Sequence, residues 1–120
     1  MTGTFTPDRT SRDRQLTKSL KVSEALAGKL RRRIQGEVRF DNGSRALYAT
    51  DASHYQIEPL GVVFPASVAD VEAVLAIARE EGAPVLPRGA GTSQCGQTIG
   101  RAVVVDVSRH LTAVALEGEP

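Results

Sequence analysis

A chain of 120 residues, 41% hydrophobic and 24% charged, has the composition of an ordinary soluble protein and the length of one small domain. It holds no run of 18 apolar residues and no apolar stretch behind a basic N-terminus, which argues against a membrane span or a secretory leader. Its single cysteine, Cys95, excludes an internal disulfide or a cysteine-based metal cluster, and no metal site is expected. The net charge of +1 conceals a split: residues 1–35 carry nine Lys or Arg against three acids, and residues 36–120 carry six against eleven.

Residues 1–22 are polar and basic with little periodic apolarity, and are expected to form a disordered arm ahead of a domain spanning residues 23–120. The basic residues lack interleaved aromatics and any nucleic-acid motif, so a solvated arm is preferred over a nucleic-acid contact. Ser23 can cap a helix carrying Leu26, Leu30 and Ile34 on one stripe, with Arg31, Arg32 and Arg33 solvated around it. Glu37–Phe40 can extend briefly, and Asp41-Asn42-Gly43-Ser44 is a turn signal leading into a short helix through Leu47 and Tyr48. The polar segment from Tyr48 to Tyr55 has no apolar period and reads as a loop, in which His54 has no pattern of a ligand or base around it.

From Leu60 the pattern sharpens. Leu60–Phe64 is an apolar strand closed by Pro65, and Ser67 with Asp70 forms a capping box for a helix that puts Val68, Val71, Val74, Leu75 and Ala78 on one face. Ala83–Leu86 is a second strand, so residues 60–86 make a βαβ unit with parallel strands and a right-handed crossover. Val103–Val105 is a third buried strand, and Thr112–Leu116 a last extended run without visible partners, which gives the sequence an interrupted look.

The stretch Leu86-Pro87-Arg88-Gly89-Ala90-Gly91-Thr92-Ser93-Gln94-Cys95-Gly96-Gln97-Thr98 leaves the C-terminal end of the second strand, where α/β sheets bind ligands. Its glycines allow positive φ and close backbone approach, so successive N–H groups can converge on an anion, with hydroxyls from Thr92 and Ser93 and a permanent charge on Arg88. A dinucleotide G-x-G-x-x-G fingerprint fails at Gln94, and a Walker A loop fails at Gln97, where its lysine belongs. Both would also need a helix next, whereas the chain runs into the valines of a strand. A plain Gly-rich connection is the bland alternative.

Three segments in this order and spacing, Pro65–Val71, Pro84–Ser93 and Val104–Ser108, resemble the start of the FAD-binding domain of the vanillyl-alcohol oxidase/PCMH type. The resemblance covers about residues 36–120. It is strongest to the FAD-linked dehydrogenases of glycolate, D-lactate and D-2-hydroxyglutarate, through Gly91–Gln97 and Ser108–Leu111. It implies an α+β fold, the truncated first subdomain of such a domain, with a parallel three-stranded βαβ sheet. It implies FAD held by Pro87, Arg88, Gly89, Ala90, Gly91, Thr92, Ser93, Gly96 and Gln97. The attachment would be non-covalent, because family members that bond FAD through a loop histidine carry it where this chain has Thr92.

By the same resemblance, the full-length enzyme would oxidise a 2-hydroxy acid and pass electrons to an acceptor, while catalytic groups and any iron–sulfur cysteines would lie downstream. The 120 residues alone would then be inactive. Two other readings stay open: a reductase of enolpyruvyl-UDP-N-acetylglucosamine on the same fold, and a non-redox nucleotide-binding module built on the near-Walker loop. The expected location is cytoplasmic, with peripheral membrane association left open and no nucleic-acid partner.

Overall fold

The computed structural model describes residues 9–118. The two valine-rich runs set the sheet. Gly61–Phe64 (β2) and Val103–Asp106 (β4) are buried along their whole length, as expected of parallel strands covered on both faces. They pair in parallel with Val62 opposite Val104, and Val85–Arg88 (β3) pairs in parallel on the far side of β4. Glu37–Arg39 (β1) adds an antiparallel edge against β2, Val38 opposite Val63, giving the order β1-β2-β4-β3.

The three parallel strands agree with the sequence reading, but the βαβ unit does not close on itself. β4, last in sequence, lies between β2 and β3, so the crossover helix Val68–Glu81 (α3) spans the width of one additional strand. The second strand is also displaced by two residues relative to Ala83–Leu86 and includes Pro87 and Arg88. Pro87 has no N–H, and β3 is an edge strand in this sheet, where that loss is tolerated. Thr112–Leu116 forms no strand: it runs irregular and exposed, with Val114 and Leu116 almost fully in solvent.

One sheet face is covered by α3 and by a 25-residue helix, Arg9–Arg33 (α1). Leu26, Leu30 and Ile34 pack with Val74 and Ile77 of α3 onto Val63, Val103 and Val105, as the apolar stripe predicts. Lys29 pairs with Glu81 across the two helices, and Arg31 to Arg33 remain solvated. α1 begins at Arg9, not Ser23, so residues 9–22 are helical, not an unstructured arm; the first eight residues of that expected arm lie outside the described residues. Residues 10–22 are all exposed, Leu16 and Leu20 by about 60%. Among the described residues no helix is long and apolar enough to cross a membrane.

The face of α3 also differs from the expected one. Val68 and Leu75 are exposed, and the buried positions are Asp70, Val74, Ile77 and Ala78. The reason is Asp70. Ser67 caps the helix by accepting from the Asp70 N–H, but the second half of the capping box is missing, because the Asp70 carboxylate turns inward to the chain arriving from α1. There it accepts from the backbone N–H of Gln35 (3.0 Å), Gly36 (2.8 Å) and Ala66 (2.9 Å). Burial alone would raise this carboxyl, yet the three donors outweigh it and hold it below the ordinary aspartate range.

The opposite sheet face carries Val62, Phe64 and Val104, with Tyr48 and Leu86 packed on them. Tyr48 follows the short helix Asn42–Leu47 (α2), which Asp41 caps as the turn signal predicts, accepting from the Ser44 N–H at 2.9 Å. This face leads directly to the glycine loop.

Candidate functional site

The three parallel strands end on one side of the sheet, and the loop 89–102 leaves the C-terminal end of β3 there before returning into β4. No helix follows it, so neither a Walker A nor a dinucleotide fingerprint geometry forms. Gly91 (φ +72°) and Gly96 (φ +81°) take the left-handed conformation that side chains resist. Among the described residues, no backbone N–H from Gly89 to Gly96 donates to another group of the chain, and a Cβ built on Gly89 would meet nothing within 4 Å. A run of unpaired amides on an open glycine surface is a cradle for an anion that brings several oxygens, and it fits the pyrophosphate of FAD.

The predicted residues do not all stand alike around this cradle. Gly89, Ala90 and Thr92 are exposed on the loop, with Pro87 exposed at the end of β3. Ser93 is half-buried and bonded to Gln97 through its hydroxyl, which also accepts the Gln97 N–H, so the pair closes the distal turn. Gly96 lies under Tyr55, whose ring would stand 3.0 Å from an added Cβ. Cys95 is exposed. Arg88 is turned away from the exposed loop surface: its guanidinium donates to the carbonyls of Thr50 (2.8 Å), Thr98 (3.4 Å) and Tyr48 (3.5 Å).

A second wall escaped the sequence reading. The segment 48–55, legible only as a polar loop, lies along the glycine loop and is bonded to it: the Ala52 N–H donates to the Gly91 carbonyl (3.0 Å), and the Thr98 hydroxyl to Asp51 (2.9 Å). Hydrogen bonding from Ser53, joined by Thr98, pushes the Asp51 carboxyl down to about 2, so it stays ionised beside the loop at any working pH. The one available signal was the Asp51-Ala52-Ser53 triplet, an Asx-turn pattern.

Beneath both walls, Tyr48 anchors the assembly to the sheet. Its ring packs edge-on to Phe64 (5.8 Å between centroids), and its hydroxyl donates to the buried Asp106, which also accepts from the Ser108 N–H and hydroxyl. Burial would raise the Asp106 carboxyl, but the Ser108 and Tyr48 donors hold it below the ordinary range. Burial, then the bond to Asp106, pushes the Tyr48 phenol up to about 12. An ultraviolet titration should therefore show a tyrosinate step near pH 12 that Tyr48→Phe removes, recorded while the far-UV circular dichroism stays native. Superimposable titrations of the two proteins would contradict this placement.

His54 is exposed in the second wall, while His110 lies 3.7 Å from Glu37 in an ion cluster with Arg109. Among the described residues no three His, Cys, Asp or Glu side chains are grouped to hold a metal.

Comparison with known proteins agrees with this geometry. Residues 59–119, just over half of the chain, match the family described as FAD binding domain. The chain is 36% identical over 84 residues to a D-2-hydroxyglutarate dehydrogenase of Haemophilus influenzae, and 38% identical over 82 residues to one of Escherichia coli. These matches cover 68% and 66% of the chain, but the chain spans only 8% of the length of either relative. It is 37% identical over 68 residues to the glycolate oxidase subunit GlcD of Bacillus subtilis, covering 54% of the chain and 14% of that subunit. Among solved structures, Physcomitrella patens BBE-like 1 superposes with a TM-score of 0.53 at 24% identity, over 71% of this chain and 18% of that one, which establishes the shared fold. A glycine cradle at the C-terminal ends of parallel strands, a matching fold and a match over half its length make this chain a member of the FAD binding domain family.

Proposed function

We propose that this chain supplies the pyrophosphate-binding part of the FAD site in a flavin-dependent dehydrogenase of a 2-hydroxy acid, of the D-2-hydroxyglutarate, D-lactate or glycolate class. The observation that carries the reading is the row of unpaired amides from Gly89 to Gly96. The substrate class is supported by the names of the relatives, D-2-hydroxyglutarate dehydrogenase and glycolate oxidase subunit. FAD, when bound, supplies the acceptor for the substrate's hydride. The chain's own part is binding and orientation. Gly89, Ala90, Gly91 and Thr92 offer amides to the two phosphates, Ser93, Gly96 and Gln97 shape the distal turn, and Pro87, paired in β3, leads the strand into the loop. Arg88 braces the loop from behind through backbone carbonyls. The cofactor is held without a covalent bond, since a threonine hydroxyl at Thr92 is too weak a nucleophile to add to the flavin unaided.

The test is to purify the full-length protein that carries this chain and record its visible spectrum. A flavin spectrum is expected, and acid precipitation should release all of the yellow cofactor to the supernatant. D-2-hydroxyglutarate, D-lactate or glycolate should then reduce an artificial electron acceptor. A protein with no flavin that also fails to bind added FAD refutes the cofactor role, flavin retained in the acid pellet refutes non-covalent attachment, and a flavoprotein inert to all three acids refutes the substrate class.

A further inference from the structure

We infer that Arg88 is a positioning residue that staples the glycine loop to the segment 48–53 and is not itself a ligand of the pyrophosphate. This rests on the FAD reading for its ligand, but the staple itself is visible without one. Its three acceptors lie on both partners: Thr98 at the far end of the loop, Tyr48 and Thr50 on the facing segment. The guanidinium is 4.9 Å above the Tyr48 ring, and Tyr48 is tied in turn to Asp106 at the end of β4. It also lies directly under the loop, because a Cβ on Gly91 would come within 2.4 Å of Nη2.

The chemistry of arginine suits this use. A planar guanidinium presents donors in a fixed fork and reaches several carbonyls at once, whereas a lysine ammonium is a single point of charge on a flexible stem. The carbonyl dipoles turn their negative ends to Arg88, so three of its five N–H donors are engaged with the chain's own backbone before any phosphate arrives. The Ala52-to-Gly91 and Thr98-to-Asp51 hydrogen bonds then close the two walls on each side of it. Anion binding is left to the amides of the loop, whose directions the staple holds.

Two variants of the full-length protein, Arg88→Lys and Arg88→Gln, decide the matter with two readouts. Without added FAD, hydrogen exchange at the Ala52 amide should accelerate in both, because the bond to Gly91 loses its support. In FAD titrations, both should bind about tenfold more weakly, the equivalent of one lost charge-assisted contact, and the dependence of affinity on salt should match wild type. Arg88→Lys keeps the charge and most of the packing, so it carries the test if Arg88→Gln fails to fold. Affinity restored in Arg88→Lys, with a weaker salt dependence in Arg88→Gln, would make Arg88 a counter-charge to the phosphates and overturn the inference. Unchanged Ala52 exchange in both variants would overturn it as well. A wild-type protein that binds no FAD would sink the functional reading while leaving the exchange experiment to decide the staple.

Discussion

Gly91→Val should abolish FAD retention by the full-length protein. Two costs combine at this position. The backbone is at φ +72°, where a β-branched residue is a genuine outlier, and forcing it there costs about 1–3 kcal/mol. The new Cβ would also arrive 2.4 Å from Nη2 of Arg88 and 3.0 Å from its Cζ. The end of an arginine normally swings aside cheaply. Here it is bound to three carbonyls, so moving it loosens both walls of the site. A combined loss of about 3 kcal/mol lowers affinity more than a hundredfold, enough to empty the site during purification. Gln97→Ala removes only an exposed side chain bonded to Ser93, and its flavin content should stay close to wild type. The ratio of flavin to protein absorbance measures both, and equal ratios in wild type and Gly91→Val would refute the role given to the loop.

The parts of this fold that were legible in the sequence are those set by local pattern. Uninterrupted valines at 103–105 and the apolar run ending at Phe64 are typical of buried strands, and Leu26, Leu30 and Ile34 mark their helix face unaided. The glycine loop was legible because it breaks that pattern in a way only close backbone approach explains. What stayed hidden depends on residues far apart in the chain. Residues 9–22 carry little apolar repeat, only Leu16 and Leu20 four apart, too little to announce a helix; they continue one that is anchored further on, at Leu26 and Leu30. The insertion of β4 between β2 and β3 is a pairing choice that the strands' own residues do not encode, since valines dominate both of β3's possible neighbours, β2 and β4. Arg88 looks like a phosphate ligand by composition. Its acceptors are backbone carbonyls, one of them 40 positions away, which no side-chain pattern advertises. The segment 48–55 was missed for the same reason: its job is polar and backbone-mediated, and it has no periodicity to read.

Asp70→Ala should destabilise the fold by about 3 kcal/mol, the cost of leaving several buried backbone donors without their charged acceptor. Asp70 is 4% exposed and joins three pieces of chain: the exit of α1 at Gln35 and Gly36, the end of β2 at Ala66, and the first turn of α3. A carboxylate near a helix N-terminus is also favoured by the helix dipole, a smaller part of the same effect. The pH dependence follows from the direction of its shift. Its folded-state pKa is depressed below the unfolded value of about 3.9, so its contribution is complete above that value and lost as pH falls through the lower folded one. Asp70→Asn preserves the size of the group, removes the charge and sets an amide against N–H donors. The stability gap between wild type and Asp70→Asn should therefore be widest near pH 7 and narrow steadily below about pH 4. Urea unfolding at a series of pH values measures that gap directly. A gap that is the same at pH 7 and in acid, or an Asp70→Ala protein as stable as wild type, would show that the three hydrogen bonds do not hold α1 and α3 on the sheet.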